Sequence, residues 1–314
     1  MSSGERLWLR LGGGLLVLVS VLTVIAWRGV SALQQPVSFS EVAYVGSESC
    51  AGCHDDRLAS WHRTYHRTMT QSADERSVRG QFDGQILDAF GGKVRPVQAD
   101  GAYFFEYLDG QTDQVQARVP LQRTVGSHRY QQYLSRDAQS ETYYRLHYLW
   151  HMEDQRWVHL NAAFLGDDQH PFDANVSTWN TNCVFCHNTG PVPQVLNMES
   201  IRARARAGET LDVRTELRFD TQLAELGIGC ETCHGPGAAH VARMDRFDQR
   251  WLATLFARSD ASIVNPQTLS GARANDVCGA CHAGRTLATV ASLDRWFKEG
   301  PSFRPGDRSE ERRV

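Results

Sequence analysis

The most continuous hydrophobic stretch of the chain lies near its N-terminus. Two arginines precede an uncharged, mostly apolar run from Leu11 to Trp27, and Arg28 follows it. A run of this length is just sufficient to cross a bilayer. We interpret residues 1–32 as a membrane anchor. A cleaved signal peptide is the alternative, because Val30-Ser31-Ala32 is a small-residue cleavage pattern, and both interpretations export the rest of the chain.

The next segment combines a polar linker with a helical pattern. Residues 33–46 are rich in glutamine, proline and serine, which is typical of a linker. In the segment 47–80, apolar side chains recur at helical spacing at Leu58, Trp61, Tyr65 and Met69. This spacing predicts a helix that continues as far as Met69.

A β-rich insert follows at residues 81–180. The runs "GAYFFEYL", "VQARV" and "ETYYRLHYLWHMEDQRWVHL" are rich in aromatic and β-branched residues, and Met152 to Gln155 read as a hairpin turn. Alternation in the last run divides its side chains between two faces. One face carries Tyr144, Leu146, Tyr148 and Trp150, and the other carries Tyr143, Arg145, His147 and His151.

The final segment, residues 181–314, returns to helical patterns. They are clearest in "MESIRARARAGE" and "HVARMDRFDQRWLATLFA". The whole chain has 314 residues, 22% of them charged, and a formal net charge of -3. This balance gives no indication of nucleic-acid binding.

The cysteines and four of the histidines form one motif repeated four times. Each copy reads Cys-x-x-Cys-His, and the four copies use all eight cysteines. This is the attachment signature of c-type haem, in which two thioethers hold the porphyrin and the histidine is the proximal iron ligand. The cofactor-binding residues are therefore Cys50, Cys53, His54, Cys183, Cys186, His187, Cys230, Cys233, His234, Cys278, Cys281 and His282.

Two other cysteine chemistries compete with haem. Eight paired cysteines are also compatible with zinc sites or with disulfides. Neither requires a histidine directly after the second cysteine of every pair, so the repeat favours four covalent haems. The chain has only two lysines, Lys93 and Lys298, which leaves almost no candidate for a lysine-ligated catalytic haem. Its many arginines suit pairing with haem propionates.

Eight further histidines are available as second, distal iron ligands. His66 and His240 are the leading candidates, and on a continuous helix His66 lies too far from His54 to serve the same haem. Three more candidates are His128, His151 and His159. The remaining three, at 62, 147 and 170, are interpreted as solvent-facing or structural.

The motif order resembles a known family. "SCAGCHDDRLASWHRTYHRTM", "CETCHGPG" and a fourth motif near the end resemble the tetrahaem cytochrome that accepts electrons from hydroxylamine oxidoreductase in nitrifiers, over residues 47–70 and 180–285. The resemblance implies that His66 is a distal ligand, that a histidine after the Gly-Pro-Gly has the same role, and that one haem is five-coordinate. His240 stands closer to that turn than in the family.

The β-rich insert is absent from that small cytochrome. With its "RYQQYL" and Trp-x-His-Leu it resembles larger multihaem cytochromes that carry tetratricopeptide repeats, which leaves a shortened member of that wider group open. The expected fold is a multihaem cytochrome c, mainly α and irregular around covalent haems, with a β-rich insert and an N-terminal transmembrane helix.

The expected function is electron transfer at the outer face of the cytoplasmic membrane. We expect a membrane-anchored periplasmic cytochrome between a quinol-linked donor and a periplasmic redox protein, or a soluble periplasmic form if the N-terminal segment is cleaved. Two alternatives stay open. One is a haem enzyme acting on a small nitrogen or sulfur species at a five-coordinate iron, and the other is a subunit of a larger respiratory or filament assembly. The absence of a separate catalytic signature favours the carrier.

Overall fold

The computed structural model describes residues 3–38, 42–167, 169–284 and 289–307. The chain begins with a long helix, α1 (Ser3–Leu33). Its 22-residue part Gly12–Leu33 has a mean hydropathy of 2.0, and its most apolar window is only 6% buried. By length and composition this helix can cross a membrane, and a signal sequence passes the same test, so both interpretations stay open.

The helix predicted in the first segment is shorter than its apolar spacing indicates. A 3-10 turn (Ser47–Cys50) leads to α2 (Asp55–Trp61), and turns rather than helix follow as far as residue 68. The Thr64 hydroxyl donates to the Trp61 carbonyl at 2.8 Å. Because threonine hydroxyls compete for the carbonyls that a continuing helix would use, the helix ends at Trp61 and the prediction to Met69 is wrong.

The β-rich insert consists of two antiparallel sheets. The larger has the order β1-β6-β7-β9-β10, with β8 also paired to β7, and the smaller has the order β2-β3-β4-β5. Their strands are β1 (Thr70–Ser72), β2 (Leu87–Ala89), β3 (Gly92–Ala99), β4 (Ala102–Leu108), β5 (Val115–Pro120), β6 (Arg123–Val125), β7 (Tyr130–Asp137), β8 (Thr142–Arg145), β9 (Tyr148–His151) and β10 (Arg156–His159). The three predicted β runs are confirmed.

The last predicted run forms two strands before its hairpin, not one. Strand β8 pairs with the C-terminal half of β7, whereas β9 pairs with its N-terminal end at Tyr130 and Gln131. The turn predicted at Met152 to Gln155 joins β9 to β10. Of the four residues predicted to share a face, Leu146, Tyr148 and Trp150 are buried in the insert core, and Tyr144 is half-buried. The core is completed by Leu87, Val94, Tyr103, Phe105, Leu121 and Tyr133.

The final segment wraps short helices around the other three motifs. The predicted helical runs are confirmed as α5, α8 and α9. After α3 (Leu160–Ala163), a 3-10 turn (Trp179–Thr181) precedes α4 (Val184–His187), β11 (Asn188–Thr189), α5 (Met198–Arg206), α6 (Val213–Glu216), β12 (Glu225–Leu226), α7 (Cys230–His234), α8 (Ala238–Met244), α9 (Phe247–Leu255), a 3-10 turn (Pro266–Thr268), α10 (Gly271–His282) and α11 (Val290–Glu299).

Candidate functional site

Each of the four Cys-x-x-Cys-His motifs lies on a short helix or tight turn. The first follows the turn at Ser47–Cys50, the second and third lie on α4 and α7, and the fourth ends α10. All eight cysteines are free thiols. Within the described ranges, no group of three or more His, Cys, Asp or Glu side chains is placed to hold a metal ion. The part of the chain that the structure describes therefore presents neither a disulfide nor a ready zinc site.

The third motif lies between the first and the fourth. The Cys50 thiol neighbours the Cys230 thiol, which is the main cause of the raised pKa of Cys50. The pKa of Cys233 is raised by burial and, further, by the nearby Cys278. Cysteines that are 180 residues apart in the sequence thus meet side by side. The attachment edges of three motifs are brought into one cluster.

A buried carboxylate within the third motif fixes this cluster. Glu231 is 2% exposed, and it accepts hydrogen bonds from the backbone N–H groups of Val45 at 3.0 Å, Gly46 at 2.8 Å and Gly237 at 2.7 Å. Hydrogen bonds to a carboxylate are the strong class, and a buried carboxylate without them is costly. Glu231 therefore holds the chain before the first motif against α7. The sequence analysis missed this role, although an acidic residue between two attachment cysteines was visible.

The structure brings His54 of the first motif opposite His240. Their ring planes are nearly parallel, with 6.4 Å between centroids and 20° between planes. Nδ1 of His240 lies 2.8 Å from an oxygen of Asp260. Burial works against the Asp260 charge, but hydrogen bonds from His240 and Ser262 and the nearby Arg243 outweigh it, so the pKa of Asp260 is lowered to about 2. A carboxylate can only accept, so His240 donates through Nδ1.

His66 lies opposite His282 of the fourth motif. The ring centroids are 6.3 Å apart and the planes are nearly perpendicular, at 75°. Two hydrogen bonds hold the turn that carries His66. Trp61 Nε1 donates to the Ile228 carbonyl at 2.8 Å, and the Ile228 N–H donates to the His66 carbonyl at 3.0 Å.

Gly227 allows the close approach of these two segments. Its φ is 78°, and a Cβ there would lie 2.4 Å from the Arg67 carbonyl oxygen. A residue with a side chain at this position would push the His66 turn away from the third motif.

Both histidine separations fit a shared iron atom. Two imidazoles on opposite sides of one metal have centroids about 6.3 Å apart, because each ligating nitrogen lies about 2 Å from the metal and about 1.1 Å from its ring centre. The separations of 6.4 and 6.3 Å agree with this value. With Nδ1 of His240 protonated, its neutral ring presents the Nε2 lone pair, which is the form that a metal requires.

The other two motif histidines have no such partner. Neither His187 nor His234 makes a ring contact with another histidine in the part of the chain that the structure describes. Nδ1 of His234 donates to the Val264 carbonyl at 2.7 Å, which leaves Nε2 as the lone-pair nitrogen of the neutral ring. The His187 carbonyl accepts from the Thr70 hydroxyl at 2.9 Å, and this bond ties the second motif to β1.

The three further candidates for distal ligands lie elsewhere. His128 stacks on Tyr65 with 4.2 Å between centroids. His151 Nδ1 accepts from the Asp154 N–H at 3.1 Å, and His159 Nδ1 accepts from the Asn161 N–H at 3.1 Å. An accepting Nδ1 places the proton of the neutral ring on Nε2. Burial lowers the pKa of His159 to about 4, so this ring is neutral at pH 7.

The three histidines interpreted as non-ligands have protein partners of other kinds. Exposed His62 lies 3.7 Å from Glu48, and His170 lies 3.1 Å from Asp167. His147 is stacked on Phe172 inside the insert, with 4.1 Å between centroids. Its pKa is lowered to about 4, mainly by burial and further by the neighbouring His159 ring.

A half-buried arginine lies beside the second motif without a carboxylate partner in the described ranges. The Arg123 guanidinium stands over the Tyr143 ring at 3.9 Å and over Trp179 at 4.6 Å. Burial lowers its pKa, yet arginine stays protonated in proteins. Both rings belong to the apolar cluster that contains Cys183 and Cys186. A half-buried cation, whose buried Nη1 atom has no hydrogen-bond partner, suits an anionic group such as a haem propionate.

Comparison with known proteins gives two partial likenesses. No family model matches the chain, and no curated protein matches it. The outer cell wall cytochrome OcwA aligns with a TM-score of 0.38 and 19% identity, over 64% of this chain and 33% of that one. The undecahaem cytochrome from the S-layer of Carboxydothermus ferrireducens aligns with a TM-score of 0.41 and 18% identity, over 77% of this chain and 26% of that one. The chain thus spans about a third and a quarter of two cytochrome chains.

Proposed function

We propose that this protein is a tetrahaem c-type cytochrome that transfers electrons. The observation that carries the proposal is the pairing of two motif histidines with histidines from distant segments, at separations that suit a shared iron. The cysteines of the four motifs would hold the porphyrins, and His54, His187, His234 and His282 would be the proximal ligands. When bound, each haem supplies an iron that cycles between the ferric and ferrous states.

In this proposal His240 is the distal ligand opposite His54, and His66 is the distal ligand opposite His282. Asp260 holds the His240 ring in the tautomer whose Nε2 carries the lone pair. The negative charge of Asp260 makes this nitrogen a stronger electron-pair donor to the iron. For His66 the contact is with the backbone: the Ile228 N–H bonds to the His66 carbonyl and so fixes the turn that carries the ring. Each ligand pair joins the first segment to the last one.

The arrangement of the motifs favours electron exchange within the protein. The closeness of Cys50 to Cys230 and of Cys233 to Cys278 supports a third attachment site that lies between the first and the fourth. We infer that electrons pass from the first site to the third and then to the fourth. We further propose that α1 is a membrane anchor and that the donor is quinol-linked, with a periplasmic redox protein as acceptor.

A second function is favoured by the second and third motifs. Because His187 and His234 have no opposing histidine among the described residues, one of these irons is a candidate for a five-coordinate site. Such an iron would bind a small nitrogen or sulfur species. Carbon monoxide added to the reduced protein would shift the spectrum of that haem if the site is open.

Mass spectrometry and electron paramagnetic resonance test the main proposal. The denatured protein should carry four covalent haems, and two or fewer, or zinc in their place, would contradict it. In the oxidised protein, nearly parallel imidazole planes give a rhombic low-spin signal, whereas nearly perpendicular planes give a highly anisotropic one. With interplanar angles of 20° and 75°, one signal of each kind is expected. Absence of both low-spin signals would refute the ligand pairs.

A further inference from the structure

Helix α9 exposes an apolar face that the haem sites do not explain. Phe247, Trp251 and Leu255 follow one another at intervals of four residues, so they share one side of the helix. Their exposed fractions are 73%, 53% and 55%. The other side of α9, with Gln249 and Leu252, is buried. Large aromatic side chains clustered on one exposed face mark an interaction surface.

Through its buried side, helix α9 lies beside the end of the apolar helix α1. A Cβ on Gly29 would lie 2.2 Å from Leu252 Cδ1, so glycine allows α1 and α9 to touch closely. The carbonyl of Leu33, a fully buried residue, accepts from the Ala261 N–H at 2.8 Å. Helix α9 is therefore held against the last turns of α1.

The position of this contact along α1 indicates what covers the face. Exposed Trp27 lies two residues before Gly29, which is about 3 Å along a helix axis. Trp251 is next to Leu252, the residue that touches Gly29. Each helix thus carries an exposed tryptophan within two residues of the α1–α9 contact, and tryptophan is a residue that concentrates at membrane interfaces.

The charges around α9 suit a lipid surface. Residues 243–258 contain four arginines, of which Arg243 pairs with Asp260 and Arg246 pairs with Asp248. The other two, at 250 and 258, are exposed, as is Arg28 at the end of the apolar run of α1. Long arginine side chains can reach headgroup phosphates while the aromatic rings lie deeper. An apolar face bordered by arginines is the composition of a helix that lies in the membrane interface.

We propose that α9 is an interfacial helix whose exposed face inserts into the outer surface of the bilayer crossed by α1. This proposal rests on the proposed role of α1 as an anchor. It gives the haem segment a fixed orientation. Arg243 on α8 lies 3.4 Å from the Leu33 carbonyl and also contacts Asp260, the partner of His240. The His54–His240 pair is then the one tied most directly to the membrane surface.

Lipid photolabelling of the full-length, haem-loaded protein tests the proposal. The protein is placed in nanodiscs that hold one copy each, made of phosphatidylcholine and phosphatidylglycerol with a diazirine on the upper acyl chain. After illumination, adducts are mapped by peptide mass spectrometry. We expect adducts on α1 and on Phe247–Leu255. The exposed apolar pair Phe164 and Leu165, outside α9, should stay unlabelled and serves as the internal control.

The outcomes separate α9 from the anchor. Adducts on α1 without adducts on α9 overturn the interfacial helix and leave the anchor standing. Loss of α1 by cleavage, or no adduct on either helix, overturns both. If α9 instead cross-links to a second copy in vesicles and takes up no lipid label, the face is a protein interface and the proposal is wrong.

A variant pair gives an independent measurement. Trp251→Asp in the full chain should reduce α9 adducts about tenfold, because a charge is expelled from the lipid, while α1 adducts and the haem absorption spectrum stay unchanged. Leu165→Asp, at a residue that is 93% exposed, is the matched control and should change nothing. Unchanged α9 labelling in the Trp251 variant would overturn the orientation of this face.

Discussion

Replacing Asp260 with asparagine tests how the His54–His240 pair is held. Asparagine keeps the shape of the side chain and removes its charge. In the native protein the carboxylate accepts from His240 at 2.8 Å, from Arg243 at 2.5 Å and from the Ser262 hydroxyl at 2.5 Å, and the side chain is 3% exposed. An amide oxygen in the Oδ2 position can keep the bonds from His240 and the Ser262 hydroxyl, but the NH2 group then faces the donors Arg243 and the Ser262 N–H. The variant therefore loses both a charge and several hydrogen bonds.

The lowered pKa of Asp260 gives the effect on stability. The pKa falls from 3.8 to about 2, and this difference corresponds to about 2 kcal/mol of folding free energy. Because the folded pKa is the lower one, this contribution is fully present above pH ~4 and is lost as the pH falls through about 2. The native protein should exceed Asp260→Asn in unfolding free energy by about 2 kcal/mol at pH 7, and the two should converge towards pH 2.

The same change should raise the potential of one haem. The carboxylate would lie about 7 Å from the iron, because the imidazole ring and the bond from nitrogen to iron would separate them. At that distance two unit charges interact by about 2 kcal/mol at an effective dielectric constant of about 20. This energy equals about 100 mV for a one-electron couple, and exposure to water reduces it. Removing a negative charge favours the ferrous state, so the potential should rise by tens of millivolts.

The assay follows the rhombic low-spin signal assigned to the pair with the 20° ring angle, during a redox titration, together with denaturant unfolding between pH 2 and 7. Asp248→Asn is the matched control, because Asp248 is an exposed carboxylate paired with Arg246 at 2.9 Å. It should change neither quantity. An Asp260 variant with native potential and native pH dependence would refute the role given to this carboxylate.

Three further predictions concern other parts of the molecule. His66→Ala should keep four covalent haems, turn one iron high-spin and open it to carbon monoxide, while His62→Ala, at an exposed residue, should keep the native spectrum. Arg123→Gln should lower the potential of one haem by tens of millivolts, because a positive charge near that haem is lost. Redox titration should show no such shift for the control Arg118→Gln, because the Arg118 side chain pairs with a glutamate. In protein made without haem attachment, a protease should cleave the segments 47–68 and 230–284. The insert should resist cleavage, because it has its own apolar core. A chain that resists cleavage throughout would contradict the prediction.

The sequence predicted the parts of the structure that depend on local pattern. The β runs, the hairpin at Met152 to Gln155 and the helices α5, α8 and α9 follow from periodicity and turn chemistry. The prediction that the helix continues past Trp61 was wrong, because side-chain hydroxyls compete for the backbone carbonyls of the helix. The spacing of apolar residues carries no information on this competition. Apolar spacing also gave no reason to divide the run around Leu146 into two strands.

Which residues contact each site residue could not be predicted from the sequence. His66 and His240 were leading candidates as ligands and that role stays a prediction, but nothing local indicated that they face His282 and His54. Those pairings depend on contacts between segments about 200 residues apart. Asp260 was not noticed at all, because its importance comes from burial beside His240 and not from any motif.

The pairing of His66 with His282 also sets a timetable for biogenesis. The two residues are 216 positions apart, and at roughly 5 to 20 residues per second the second is made roughly 10 to 40 s after the first. During that interval the first motif is already outside the ribosome while its closing partners do not yet exist. In the proposed cytochrome the attachment machinery would therefore meet an open chain, and the last motif to arrive would be the one that holds the earliest segment in place.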